Sequence, residues 1–397
     1  MKKKRDTVIV VLSHMDWSSG CDYVKQTSIA LAEKMKVIVF NPLHFPSFAR
    51  LVFNQKFFKQ EIQPLPSADN NLHYIRSFGV IPLQRIKIIN SINRLVNLVL
   101  FKKYLKYKYH DKNIIFWVFH HSLLPALAYL KDESMLIYDR PDQIASIDKK
   151  ENKILKCKEK ELIVRSDHVF ANSPLSFRYV KKLNKNAHKT PWGCNPTIFT
   201  NSSKEHKKNE VFKKIKRPRL GFVAPLNFRI DYKILHQLAK RNPNWNFVLV
   251  GGESDKDTKQ NEISYVDRWI KKLKTLPNIY TLGHLKKEEM PDTIDQLNIG
   301  LVLYDIKQEY NLGSNPIKVY EYLAGGKPVV STPIEAMLSH QPYVKIGKNV
   351  QEFEKHIKYL LANGRLKRKQ YYKNIAKKNS WQARIKYISN NILNDIH

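Results

Sequence analysis

Cysteine is scarce: only Cys21, Cys157 and Cys194 stand in the 397 residues. The number is odd and no pair has metal-ligand or redox spacing, which excludes a disulfide framework and fits a reducing compartment. All three read as packing residues. Long apolar runs are missing as well. A bilayer-spanning helix needs roughly 20 consecutive apolar residues, and the longest candidate runs only from Ile114 to Phe119. The basic start, Met1 to Arg5, is followed by an apolar stretch, Val8 to Leu12, that Ser13, His14 and Asp16 interrupt. That stretch is too short for a secretory signal and reads as a first buried strand. The expectation is a cytoplasmic chain, soluble or peripheral on the inner face of the membrane. Acids are few, 35 against 69 Lys and Arg, leaving a net charge of +34. Such a charge attracts polyanions, and nucleic acid, anionic lipid headgroups and phosphorylated substrates all satisfy it, as does a lysine-rich solvated surface with no partner. Zinc spacing, a recognition-helix signature and an aromatic RNA-binding motif are all lacking, so nucleic acid is not an expected partner.

What is present is an alternation of short apolar, β-branched runs with segments of helical period, the pattern of βαβ units and parallel sheets. Strands are expected near Thr7 to Leu12, Lys36 to Phe40, Leu72 to Ile75, Ile114 to Phe119, Met135 to Tyr138 and His168 to Ala171. A polar, lysine-rich stretch follows, and the alternation restarts at Leu220 to Val223, Asn246 to Val250, Ile279 to Leu282, Gly300 to Leu303, Pro328 to Ser331 and Tyr343 to Ile346. The length suits two domains. The boundaries read as a Rossmann-like domain over 1–200, a linker over 201–217, a second Rossmann-like domain over 218–364 and a helical tail over 365–397 that is long enough to cross back to the first. Two such α/β halves leave a cleft, and ligands of these sheets sit beyond the carboxyl ends of strands.

The most informative stretch runs from Tyr304 through Asp305 and Asn311 to Ser314-Asn315-Pro316-Ile317-Lys318-Val319-Tyr320-Glu321, ending in Tyr322-Leu323-Ala324-Gly325-Gly326-Lys327-Pro328. Ser314 or Asn315 can cap a helix whose first position is Pro316. The free amides at Ser314, Asn315 and Ile317 would then receive a diphosphate. Lys318 and Glu321, three apart, share one face: the lysine suits phosphate and the carboxylate a ribose diol. An exposed capped helix with an ion pair of equal spacing explains the same residues without a ligand. Gly325 and Gly326 are expected to end the helix in left-handed geometry.

The run from Ser314 to Ser331 resembles the nucleotide-binding segment of GT-B fold glycosyltransferases of the group 1, family 4-like kind, and Arg219 to Asp231, Trp245 to Gly251, Pro277 to Gly283 and Gly300 to Tyr304 resemble further strand ends of the same donor domain. The resemblance implies an enzyme that moves a hexosyl or glucuronosyl group from a nucleotide sugar, UDP-linked, to a glycan or lipid-linked glycan acceptor. It further implies that Glu321 binds the ribose, that Lys318 and Arg229 lie at the diphosphate, and that no cofactor or metal is needed, because basic side chains stabilise the leaving group. Tyr304 belongs to this donor set. Many retaining members carry two glutamates eight positions apart, whereas Gly313 occupies the earlier position here and Glu309 does not fit the spacing. That departure points to the teichuronic-acid-type and glucuronosyltransferase-like enzymes of bacterial surface polysaccharide synthesis and leaves stereochemistry open. A sugar-nucleotide epimerase or hydrolase of the same fold is the alternative.

Inverting transfer requires a base on the domain opposite the nucleotide. Asp139 and Asp142 follow the strand Met135 to Tyr138 and match an acidic pair in the resembling family, so Asp139 is the first expectation and Asp142 the second. A loop in which both pair with Arg140 is the competing reading. His120 and His121 end another strand and can act as base or hold sugar hydroxyls. Gly20, with Ser18 and Ser19, can offer amides to the donor phosphates. Phe48 to Lys59 and Arg85 to Lys108 mix apolar or aromatic residues with bases and no acid, which suits an anionic membrane surface as well as packing against the sheet.

Overall fold

Strands covered on both faces read as continuous apolar runs rather than alternating ones, and that is how these runs fold. The computed structural model describes residues 6–15, 17, 22–43, 71–77, 81, 86–132, 134–141, 149–199, 210–252, 260–363 and 368–393. In the first half β1 (Thr7–Leu12), β2 (Lys36–Asn41), β3 (Leu72–Arg76), β4 (Asn113–Val118), β5 (Met135–Arg140), β6 (His168–Ala171) and β7 (Ala187–Lys189) form one sheet, ordered β3-β2-β1-β4-β5-β6-β7. In the second half β8 (Arg219–Val223), β9 (Asn246–Val250), β10 (Ile279–Thr281), β11 (Ile299–Val302), β12 (Val329–Ser331) and β13 (Val344–Ile346) form another, ordered β10-β9-β8-β11-β12-β13. All pairings are parallel. Both sheets are doubly wound, and each reverses its strand order once, at β1/β4 and at β8/β11. The strand β7 escapes the sequence reading because Ala-His-Lys carries no apolar run to signal it.

By compactness the chain divides into one unit of residues 1–172, 176–190 and 385–397 and a second of 173–175 and 191–384. The division thus falls ahead of the expected linker at 201–217. Of that stretch, 201–209 lie outside the described residues. The remainder is no linker: the helix Glu210–Lys214 and the turn after it bury Phe212 and Ile215 in the second unit's core. Arg219 fastens them, donating from Nη2 to the Phe212 carbonyl at 2.5 Å and from Nε to that of Ile215 at 2.9 Å.

The first unit's core lies on its sheet, where Phe40 of β2 stacks on Phe101 of the helix Lys87–Lys108 at 3.9 Å between centroids. A buried ion pair ties β5 to the helix Lys149–Arg165. Arg140 holds Glu159 through Nε at 2.7 Å and Nη2 at 2.9 Å, and donates from Nη1 to Ser176. The Tyr138 hydroxyl gives the same carboxylate a third bond. Every strong donor around Glu159 is used, the condition under which a buried pair is tolerated.

The second unit has a core on each face of its sheet. Phe222, Leu249 and Leu301 point to one, Val223, Val248 and Val302 to the other, as the period of two demands. On the latter face the central strands carry glycine side by side, Gly221 of β8 opposite Gly300 of β11. The hollow so made admits side chains from the helices above. A Cβ at Gly300 would stand 2.4 Å from the Tyr322 ring, and one at Gly221 would stand 2.1 Å from Leu297. The Tyr322 hydroxyl accepts from the Val223 amide at 2.8 Å and donates to the Gly221 carbonyl at 3.1 Å, replacing ladder bonds between β8 and β11. This contact seats the helix Lys318–Ala324 on the point of strand reversal. Gly300→Ala is therefore expected to destabilise the chain by about 1–3 kcal/mol through overpacking, and Tyr322→Phe by a similar ~1–3 kcal/mol through the orphaned Val223 amide, both read from urea denaturation midpoints. Wild-type midpoints in the two variants would contradict the docking.

Candidate functional site

Ligands of doubly wound sheets bind beyond the carboxyl ends of the strands that flank the reversal, which directs attention to the segments after β8 and β11. After β8 the chain turns at Asn227, whose Oδ1 accepts from the Arg229 amide at 3.1 Å. It then runs antiparallel to the segment after β11, through an Ile230–Tyr304 bridge and Asp305 N–H to Arg229 carbonyl at 2.8 Å. Asp231 caps the following helix Tyr232–Arg241, accepting from the Ile234 amide at 2.9 Å. An Arg229–Asp231 pair, the bland explanation of that arginine, does not form.

The Arg229 guanidinium lies between two aromatic faces, 4.7 Å from the Tyr304 centroid and 4.3 Å from that of Tyr310. Its Nε donates to Asn311 Oδ1 at 2.9 Å and its Nη2 to Ser314 Oγ at 2.7 Å. Asn311 answers with bonds from Nδ2 to the carbonyls of Arg229 and Asp305, both at 2.8 Å. Among the described residues nothing takes the Nη1 donors. The site holds a fixed cation, restrained on four sides, with donors to spare.

Ser314 and Asn315 do not cap the helix as expected. Both are buried. The Ser314 hydroxyl is engaged by Arg229 and donates to the Tyr310 carbonyl at 3.1 Å, while the Asn315 side chain bonds the buried Tyr320 hydroxyl, itself 2.8 Å from His340 Nε2. The helix starts at Lys318, with Ile317 at its cap and no side-chain cap bond, two residues beyond Pro316. The Ser314 amide, one of three expected to meet a diphosphate, donates to the Asn311 carbonyl. The exit also differs in detail. Only Gly326 is left-handed, with φ 72°, whereas Gly325 keeps helical φ and packs against Ile294.

Lys318 and Glu321 do share the helix face, and both are half-buried. They form no ion pair. The Lys318 ammonium stands 5.8 Å from the Tyr304 centroid and 5.9 Å from that of Phe222. Among the described residues it has no carboxylate partner. Glu321 lies toward the buried Cys194, whose thiol is pushed up by burial first and by the Glu321 charge second.

On the first unit the reversal falls between β1 and β4, and there the structure gathers histidines. His14 and His120 stack with centroids 4.8 Å apart, and His121 lies 4.0 Å from His120. The Tyr23 hydroxyl is 3.5 Å from His14 Nε2. His120 caps the short turn His121–Leu123: its Nδ1 accepts from the Ser122 amide at 3.2 Å and lies 2.8 Å from the Ser122 hydroxyl. Burial first, then neighbouring His121, pushes its pKa down to about 4. The ring is therefore neutral near pH 7 with its proton on Nε2, which makes it a hydrogen-bond donor there, in keeping with the second of the two roles open to it and not with the first. Asp139 is also corrected. It lies on β5, one strand beyond the reversal, is 1% exposed, and accepts from the Trp117 indole N–H at 3.1 Å, so its carboxylate is a structural acceptor within the sheet. Arg140, its supposed partner, belongs to Glu159. Asp142 and Gly20 lie outside the described residues.

Comparison with known proteins agrees with this architecture. Residues 229–390 match a family described as glycosyl transferase-like. Bacillus subtilis TuaH, a glycosyltransferase whose name assigns it provisionally to teichuronic acid biosynthesis, is 26% identical over 281 residues, 66% of this chain and 68% of its own. Anabaena HepE, solved with UDP and glucose, superposes with a TM-score of 0.67 at 14% identity over 97% of this chain and 99% of its own. Sucrose-phosphate synthase of Thermosynechococcus elongatus gives 0.67 at 15% identity over 96% and 94%. The chain is a glycosyltransferase of the GT-B fold.

In this transferase Lys318 and the distant Arg229 both lie against Tyr304, and Ser314 bonds Arg229, while Glu321 is linked to them only by its place on the Lys318 helix. Asn311 and Tyr310 complete the arginine's seat, and His14 joins His120. Their roles had no signal in the sequence, because Arg229 lies some eighty residues from Tyr310 and Asn311, and His14 lies over a hundred from His120. The lowered pKa of His120 carries a stability consequence. An unfolded imidazole titrates near 6.5 and this one near 4, so the unfolded chain binds the extra proton between those values and stability is lost as pH falls from 6.5 toward 4. His120→Asn, which keeps a capping acceptor, is expected to flatten that part of the stability–pH curve in urea titrations. An unchanged slope would place the imidazole in water.

Proposed function

We propose that this glycosyltransferase takes its sugar from a UDP-sugar and adds it to a growing, lipid-linked cell-surface polysaccharide at the inner face of the membrane. The arrangement that carries the proposal is the immobilised Arg229 beside Lys318, two cations that have no carboxylate partner among the described residues, at the reversal of the donor sheet. A diphosphate supplies the anion such a pair lacks. The UDP in HepE and the name of TuaH support the base and the pathway respectively.

On this reading Glu321 accepts from the ribose hydroxyls, and Lys318 and Arg229 face the diphosphate, with Tyr304 holding Arg229 in place. The acceptor hydroxyl attacks the anomeric carbon, the bond from that carbon to the diphosphate oxygen breaks, and the hydroxyl proton passes to a base. Negative charge grows on the departing UDP, where fixed cations are worth most because they need not reorganise. Leaving-group stabilisation then falls to side chains rather than to a metal. Ser314 and Asn315 act by fixing Arg229 and the approach to the helix.

Glu321→Ala is expected to weaken UDP binding roughly 10- to 100-fold, the worth of a charged hydrogen-bonding group, in calorimetric titration of a protein with an unaltered melting temperature. Lys318→Ala should lower kcat for sugar transfer, with activity persisting in chelator. Wild-type affinity in the Glu321 variant would remove the assignment, and epimer formation without an acceptor would replace transfer by another reaction.

A further inference from the structure

The helix Lys87–Lys108 of the first unit is patterned the wrong way round for a helix facing water. Its buried face includes two asparagines, Asn93 and Asn97, beside Leu98, Phe101 and Leu105. Asn93 has structural work there, bonding both the amide and the carbonyl of Ile81 at 2.7 and 2.9 Å. A second set of aliphatic side chains is outside. Ile88 is 72% exposed, Ile92 42% and Leu95 51%, at i, i+4 and i+7 along one stripe. Leu100 at 58% and Tyr107 at 88% extend the apolar surface toward the carboxyl end. An exposed apolar surface of this extent marks an interaction site.

Charge identifies the partner. The helix carries six bases and no acid. Asp132 takes up Lys102 at 2.9 Å and approaches Lys106 at 3.9 Å, but Lys87, Lys103 and Lys108 have no carboxylate partner among the described residues. A second copy of this chain would bring the same uncompensated bases, and a further +34, against them. A surface that is apolar beneath and anionic above satisfies both halves of the pattern. No described helix is long and apolar enough to cross a membrane, so the helix would lie in the interface plane.

We infer that the outer face of the helix Lys87–Lys108 docks the first unit on an anionic lipid bilayer, with Ile88, Ile92 and Leu95 entering the acyl boundary and the flanking lysines meeting headgroup phosphates. The inference deepens the proposed function and takes its purpose, a lipid-linked acceptor, from that reading. The docking itself is measurable without it.

The experiment is co-sedimentation of the full chain with phosphatidylglycerol-containing vesicles and with pure phosphatidylcholine vesicles. The wild type is expected to pellet with the first and much less with the second. Ile88→Asp/Ile92→Asp/Leu95→Asp and, separately, Lys103→Glu/Lys106→Glu, whose lysines continue the same face, are each expected to reduce partitioning roughly tenfold or more, with melting temperature unchanged because the positions are exposed. A wild type that ignores anionic vesicles, or a triple aspartate variant that binds them as the wild type does, overturns the inference. So does a wild-type dimer that the aspartate substitutions dissociate while vesicle binding is untouched, since the face would then belong to a second copy. UDP-induced thermal shift in the same samples separates the two proposals: vesicle binding with no response to UDP defeats the donor reading alone.

Discussion

The seat of the helix Lys318–Ala324 depends on two absent side chains. Gly221 and Gly300 stand opposite one another at the centre of the second sheet, and the space they leave is filled by Tyr322 and Leu297. Tyr322 does two things there. Its ring brings the helix Lys318–Ala324 closer to the sheet than a Cβ would allow, and its hydroxyl satisfies backbone groups of β8 and β11 where their mutual ladder gives out. Interiors pack like solids and not like liquids, so a ring seated this tightly determines where its own helix lies. One residue before it is Glu321 and four before it is Lys318. The position of both side chains is thus set from beneath, by the packing of Tyr322 into the sheet.

Arg229 is held by a different principle. A guanidinium has five donors in a rigid plane, and here two of them bond Asn311 and Ser314 while the Tyr304 and Tyr310 rings lie against it. The Asn311 amide closes the loop back onto the arginine's own carbonyl. Such reciprocal bonding lets a charge stand near Lys318 without collapsing onto a carboxylate. The contrast with Arg140 is instructive, since that arginine spends its donors on Glu159 and Ser176 in the interior and has a structural office only. Two arginines of equal prominence in the sequence differ in role because one has a buried acid within reach and the other does not.

Much of this was legible beforehand. The order of apolar runs indicated two parallel sheets, and the segment from Ser314 to Ser331 led to the family and to Lys318 and Glu321. Errors fell where a residue's neighbours come from elsewhere in the chain. Asp139 followed a strand and looked like a base, yet β5 sits one place beyond the reversal and the Trp117 indole claims the carboxylate. Ser314 and Asn315 had the composition of helix caps, but Arg229 and Tyr320 claimed their side chains first. Between the two roles open to His120, base or hydrogen-bond partner, the sequence could not choose, because the bond from the Ser122 amide decides which nitrogen keeps the proton.

Periodicity and composition are local properties, and they sufficed for what local physics controls: strands, helices, the duplication of one α/β plan, and an excess of positive charge that needs an anion. Which polar groups remain available for a substrate is not local. It depends on which donors and acceptors the fold has already consumed, and that accounting closes only when residues such as Arg229 and Asn311, eighty-odd positions apart in the chain, are brought within 3 Å of one another.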